Sequence, residues 1–138
     1  MDVHDLAYAL NQVVHNFGAV AATAGAATAR WSQPPDAVRP RRRLAWLVLS
    51  GWAAQAASGA TFGAISYITF GRLPDIHGIA VAALLLKVAC AVAGFSLSAL
   101  YLLRESVWEQ AGLRRAWTAL VAFAATALCA AAFLRWFS

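Results

Sequence analysis

Apolar positions along the chain gather in four long blocks, roughly residues 6–29, 44–70, 76–103 and 116–134, and the segments between them hold most of the charge. Each block is near or above the ~20 residues that cross ~30 Å of hydrocarbon at 1.5 Å per residue. The pattern predicts an all-α chain, a single integral membrane domain over residues 1–138 built as a four-transmembrane-helix antiparallel bundle. The first block is expected to be retained as a span rather than removed as a signal peptide, because a basic leading region is missing and Asp2 and Asp5 stand in its place.

The connectors read differently from one another. "RWSQPPDAVRPRRR" carries Pro34 and Pro35, which stop a helix from running through it, and reads as an exposed connector. "GRLPDIHG" is a tight turn, with Gly71 placed to end the second helix and Asp75 to cap the third. "RESVWEQAGLRR" mixes charges and extends the third helix by about a turn. Small residues in helix one (Gly18, Ala22, Gly25, Ala26) and helix two (Gly51, Ser58, Gly59, Gly63) mark expected contact faces, the Gly59–Gly63 pair among them. Trp31, Trp46, Trp108, Trp117 and Trp136 fall close to block ends, where indoles anchor at an interface, and Trp52 lies deeper.

Composition strengthens the membrane reading. Hydrophobic residues make up 62% of the chain and charged residues 12%, about half the fraction usual in soluble domains, so the chain cannot cover a water-facing surface. The net charge of +5 is a signal of orientation. Arg30, Arg39, Arg41, Arg42 and Arg43 lie in the first connector and Arg104, Arg114 and Arg115 in the third, out of eleven basic residues in all. Loops 30–43 and 104–115 are therefore expected on the cytoplasmic side of a bacterial inner membrane, with both termini and the 71–75 turn outside. Contact of these arginines with anionic lipid fits better than nucleic acid, for which no binding motif is present. Cys90 and Cys129 are expected at different depths, which disfavours a disulfide and leaves them as small core residues.

The candidate chemistry begins in "HDLAYALNQVVHNFG". At 100° per residue His4, Tyr8, Asn11 and His15 fall within about 60° of one another, and Gly18 and Ala22 continue the line. Lipid offers no partner to an imidazole or carboxamide, so this face is expected to look into the bundle. His4 and His15 are ~16 Å apart along the axis. The third helix starts at the same surface with His77 and carries Lys87 ten residues further in, so threading predicts an outer layer of His4 with His77 and a mid-depth layer of His15 with Lys87. A lysine at that depth costs ~3 kcal/mol or more unless it faces a partner or water.

Paired histidines on neighbouring membrane helices can ligate haem iron axially. The candidate cofactor-binding residues are His15, His77, His4, Lys87 and Asn11, with His15 and His77 as metal ligands to haem b and His4 as the substitute for either; helix rotation decides which two face each other. Gly18, Ala22, Gly25 and Gly94 would leave room for the macrocycle, and Lys87 or an arginine would pair a propionate. Copper is less suited, because Cu(I) prefers sulfur ligands and the chain holds one methionine and two cysteines; a histidine-based copper site would gather at His4 with Asp2 and the terminal amine. Zinc hydrolysis has neither H-E-x-x-H nor an intramembrane carboxylate to support it.

Three segments together resemble the copper-resistance D superfamily of four-helix membrane proteins: "HNFGAVAATAG" with His15 and Gly25, "RRLAWLVLSGWAAQAASG" with Gly59, and "LLLKVACAVAGFSLSALYLLR" with Lys87. The likeness runs over nearly the whole chain. That superfamily includes the membrane protoporphyrinogen oxidase type, which binds haem b and depends on a helix-one histidine and a helix-three lysine; the resemblance implies His15 and Lys87 in those places. The Pro-Arg-Leu element that closes helix one in the oxidase is absent from this chain. The leading expectation is a b-type haem subunit exchanging electrons with quinone or a partner protein. A protoporphyrinogen-oxidase-like enzyme and a non-catalytic accessory subunit of a larger membrane complex are the alternatives.

Overall fold

The structure, a computed structural model, describes residues 3–32, 34, 36–71 and 76–137. Asp2 and Asp75, to which the sequence assigns a copper-site and a capping role, lie outside the described residues. Four helices follow one another without a strand among the described residues: α1 (Val3–Ala27), α2 (Val38–Phe70), α3 (Ile79–Arg104) and α4 (Gln110–Phe137), with a π-helical turn, Thr28–Ser32, continuing α1. The all-α, four-helix architecture is therefore as the apolar blocks predict.

The helices run further than the blocks at the arginine-rich end. α2 begins at Val38 and α4 at Gln110, each six residues before its apolar block, because arginine, glutamine and alanine favour helix and do not stop where hydropathy falls. The arginine run thus forms the first turns of α2 rather than a loose connector, with Pro40 in the opening turn where its missing N–H costs nothing. Arg41 is turned inside, at 4% exposure. At the other end Gly71 closes α2 in the left-handed region (φ 68°) and donates its N–H to the Tyr67 carbonyl at 2.9 Å.

The arrangement is a closed ring in which α1 packs on α2, α2 on α3, α3 on α4 and α4 on α1; α1 and α3 sit on a diagonal with no backbone contact. The tightest seam is α1–α2. A Cβ added at Gly51 would come within 2.7 Å of the Ala22 nitrogen and 2.8 Å of the Gly18 carbonyl oxygen, so the two backbones meet where only glycine fits. Gly94 makes the same kind of space for the Trp52 indole. Gly59, expected on a contact face, is exposed with nothing within 4 Å of such a Cβ.

The core occupies the arginine-rich half, where Val48, Trp52, Tyr101, Trp117 and Leu120 pack with Ala22, Ala26 and Ala29. The Tyr101 and Trp117 rings lie 4.8 Å apart. Trp117 is fully buried and is no interfacial anchor: with α4 starting early it sits two turns inside the helix. Trp31, Trp46 and Trp136 are exposed. Both cysteines are free, Cys90 buried and Cys129 exposed, so only the first is a core residue. Outside, the surface is apolar: Phe17, Val20, Leu85, Val92 and Leu103 are all exposed. Two helices, α3 and α4, are long and apolar enough to cross a membrane, with mean hydropathy of 2.2 and 2.0 in their best windows.

Candidate functional site

At the upper boundary of the core three helices contribute one polar side chain each. α1 brings His15, α2 brings Ser58, and α3 brings Lys87 from across the diagonal. The Ser58 hydroxyl donates back to the Ala54 carbonyl one turn earlier, as a helical serine commonly does. Its oxygen is then free to accept from His15 Nδ1–H at 2.7 Å, which leaves the Nε2 lone pair to accept from Lys87 Nζ at 2.8 Å. The chain of donors runs one way, from Lys87 through the imidazole and the hydroxyl to the α2 backbone.

Further bonds hold the α1 side of this chain in place. Asn11 Nδ2 donates to the Ser58 carbonyl at 2.9 Å, and Gln55 Nε2 donates to the His15 carbonyl. The Phe62 ring stands edge-on to His15 at 5.6 Å and meets Tyr8 at 4.7 Å, closing one side of the imidazole. No carboxylate takes part: the described acidic residues, Asp5, Asp36, Glu105 and Glu109, lie at helix ends or in connectors. Lys87 begins ~12 Å along α3 from Ile79, counting 1.5 Å per residue, and so stands well inside the bundle's length.

Of the five residues singled out from the sequence, the structure brings together His15, Lys87 and Asn11. His4 and His77 are exposed and do not meet each other, so the expected outer layer is not formed. The polar stripe is exposed over residues 3–10 and becomes half-buried only at Asn11, although the Tyr8 ring already meets Phe62 of α2. Ser58 and Gln55 were not among the expected functional residues, although two polar groups three apart on an Ala-rich helix mark one inward face.

A haem ligated by His15 does not fit this arrangement. Both ring nitrogens are already engaged. The small residues expected to make room for a macrocycle are covered: Gly18 faces Ala54 and Gly51, Gly25 faces Val48, and Gly94 faces Trp52. Among the described residues no group of three or more His, Cys, Asp or Glu side chains gathers as a metal site. What the site offers instead is a lysine amine and an imidazole lone pair side by side, an arrangement suited to holding an anionic group and taking up a proton.

Compared with known proteins, the chain matches no family model, no curated protein and no solved structure.

Proposed function

We propose that this chain is an integral membrane protein of the copper-resistance D type, with all four helices spanning the bilayer. Its His15–Lys87 pair is the working site of a membrane oxidoreductase that takes a carboxylate-bearing tetrapyrrole from the open side along residues 3–10 of α1, since the interior at Gly18, Gly25 and Gly94 is filled. The membrane reading is supported by an inside-out distribution: bulky aliphatics face outward while alanine, glycine and serine fill much of the interior. The arginine-rich end is cytoplasmic and the termini lie outside.

The single observation that carries the functional reading is Lys87, an amine drawn into the bundle with no carboxylate partner among the described residues and set 2.8 Å from a histidine. An intramembrane lysine is costly and is held where it has work to do. Lys87 receives a porphyrinogen carboxylate; once it has turned toward that group, His15 Nε2 is open to accept one hydrogen as a proton in each two-electron step. The other hydrogen leaves with both electrons, as a hydride equivalent, to a membrane quinone that takes a further proton from water to become the quinol. Ser58 holds the imidazole by its other nitrogen throughout. This is protoporphyrinogen-oxidase-like chemistry, with His15 and Lys87 as the candidates for the helix-one histidine and helix-three lysine that the resemblance implies. A haem b carried by the same protein and exchanging electrons with quinone or a partner protein is the second reading; it is favoured by the exposed end of α1, and it requires His15 to release one of its present partners.

The test is complementation of a bacterial strain blocked in protoporphyrinogen oxidation, with porphyrin binding and reduced-minus-oxidised spectra measured on the purified protein. Rescue by the wild type and loss with His15→Ala and Lys87→Met support the reading. A well-expressed wild type that neither rescues nor binds porphyrin overturns it, and a Soret band lost in both His15→Ala and His77→Ala would move the assignment to haem-linked electron transfer.

A further inference from the structure

A second charged site lies at the arginine-rich end of the molecule. The π-helical turn Thr28–Ser32 carries Arg30 against the start of α4, where Arg30 Nε donates to Thr118 Oγ1 at 2.9 Å and Thr118 in turn donates to the Arg114 carbonyl at 3.0 Å. Arg30 also lies over the Trp31 ring, 5.8 Å from its centroid. Arg30, Arg114, Arg115 and Thr118 line a groove of about 530 Å³, together with Ala111, Ala119 and Ala122. None of the three arginines meets a carboxylate among the described residues, whereas Arg42 close by is paired with Glu105. One guanidinium is thus fixed by its Nε and two more stand beside it, with their charge unanswered.

We propose that this groove binds the phosphate headgroup of an anionic phospholipid from the cytoplasmic leaflet. The inference rests on the membrane-spanning reading, not on the chemistry at His15. Its polar and apolar parts are ordered as a lipid requires. Arg114 and Arg115 stand on the second turn of α4, one turn after Ala111, and Ala119 and Ala122 follow from about 6 Å further toward the hydrocarbon. A free phosphate would use the arginines alone, whereas a lipid uses both parts. The π-helical turn is what offsets Arg30 from the regular helix and sets it against Thr118, a common role for such segments.

The membrane reading is checked first and separately: the full chain should stay in the pellet after an alkaline carbonate wash, and its release would overturn that reading whatever the lipid data. The purified protein in phosphatidylcholine nanodiscs is then titrated with phosphatidylglycerol and followed by thermal unfolding. Phosphatidylglycerol should raise Tm, inorganic phosphate at the same concentration should not, and each of Arg30→Gln, Arg114→Gln and Arg115→Gln should weaken the apparent affinity about fivefold. Arg104→Gln removes the same charge at the same end but outside the groove and should leave the titration unchanged. An equal shift with inorganic phosphate, an equal loss in Arg104→Gln, or no loss in the groove variants would each overturn the proposal.

Discussion

Lys87 and His15 are joined at 2.8 Å although the helices that carry them share no backbone contact, because the lysine side chain crosses the diagonal of the four-helix ring. No shorter side chain would make that reach, and the pair fixes the relative rotation of α1 and α3 without packing them together. The link is also separable from the fold. Replacing Lys87 with Met removes a hydrogen bond of ~1 kcal/mol and relieves ~3 kcal/mol of buried amine cost. The variant should melt at or above the wild-type temperature in detergent while activity falls by at least about a hundredfold. Loss of folding, or retention of full activity, would show that Lys87 serves the bundle alone.

Ser58 sets which imidazole nitrogen carries the hydrogen. Its hydroxyl proton is held by the Ala54 carbonyl, so the His15 hydrogen belongs on Nδ1 and the lone pair on Nε2. Nitrogen NMR on 15N-histidine protein should report that tautomer for His15. Ser58→Ala should give a mixture of the two and cost ~1 kcal/mol. The Asn11 bond should survive in the variant, since it is made to the residue 58 carbonyl rather than the side chain. A wild-type spectrum with the hydrogen on Nε2 would reverse the direction of the donor chain.

The four helices and the His15–Lys87 pairing were legible because apolar length fixes how many helices there are, and antiparallel threading of similar lengths fixes which residues share a depth. What threading leaves open is where a neighbour stops covering a face. His4 and Tyr8 share the stripe of Asn11 and His15, yet both stay exposed, Tyr8 touching α2 only through the Phe62 ring. Trp117 illustrates the second gap: it stands near the edge of an apolar block, but polar helix formers carry α4 two turns beyond it, and the indole is buried. Ser58 and Gln55 reach the site because α2 presents one face to both α1 and the centre, a choice made by glycine contacts rather than by hydropathy.

Those contacts can be tested as a pair of substitutions with the same chemistry. Gly51→Ala places a methyl between the α1 and α2 backbones, 2.7 Å from the Ala22 nitrogen, and should destabilise by about 1–3 kcal/mol. Because Gln55 and Ser58 lie on the same helix, the shift should also disturb His15. Gly59→Ala meets open space and exchanges glycine for the better helix former, so it should be neutral or stabilising by about 0.5–1 kcal/mol. Thermal unfolding of both variants in one detergent decides the matter; equal effects would mean that the α1–α2 seam is not where these glycines place it.

The proposed orientation in the membrane rests on eight arginines at one end of the bundle, and it sets which compartment each proposed site would serve. On a background of Cys90→Ala and Cys129→Ala, single cysteines at Asp36 and Ser106 should resist a membrane-impermeant maleimide in intact cells and react after permeabilisation, while a cysteine at Asp5 should react in both. The opposite pattern would invert the topology. The groove at Arg30 would then face the outer leaflet, and the polar chain at His15 would open toward the cytoplasm. Mixed labelling at one position would mean that the arginine asymmetry does not fix a single orientation. The His15–Lys87 geometry holds in either case, since it depends on helix packing and not on which side the arginines face.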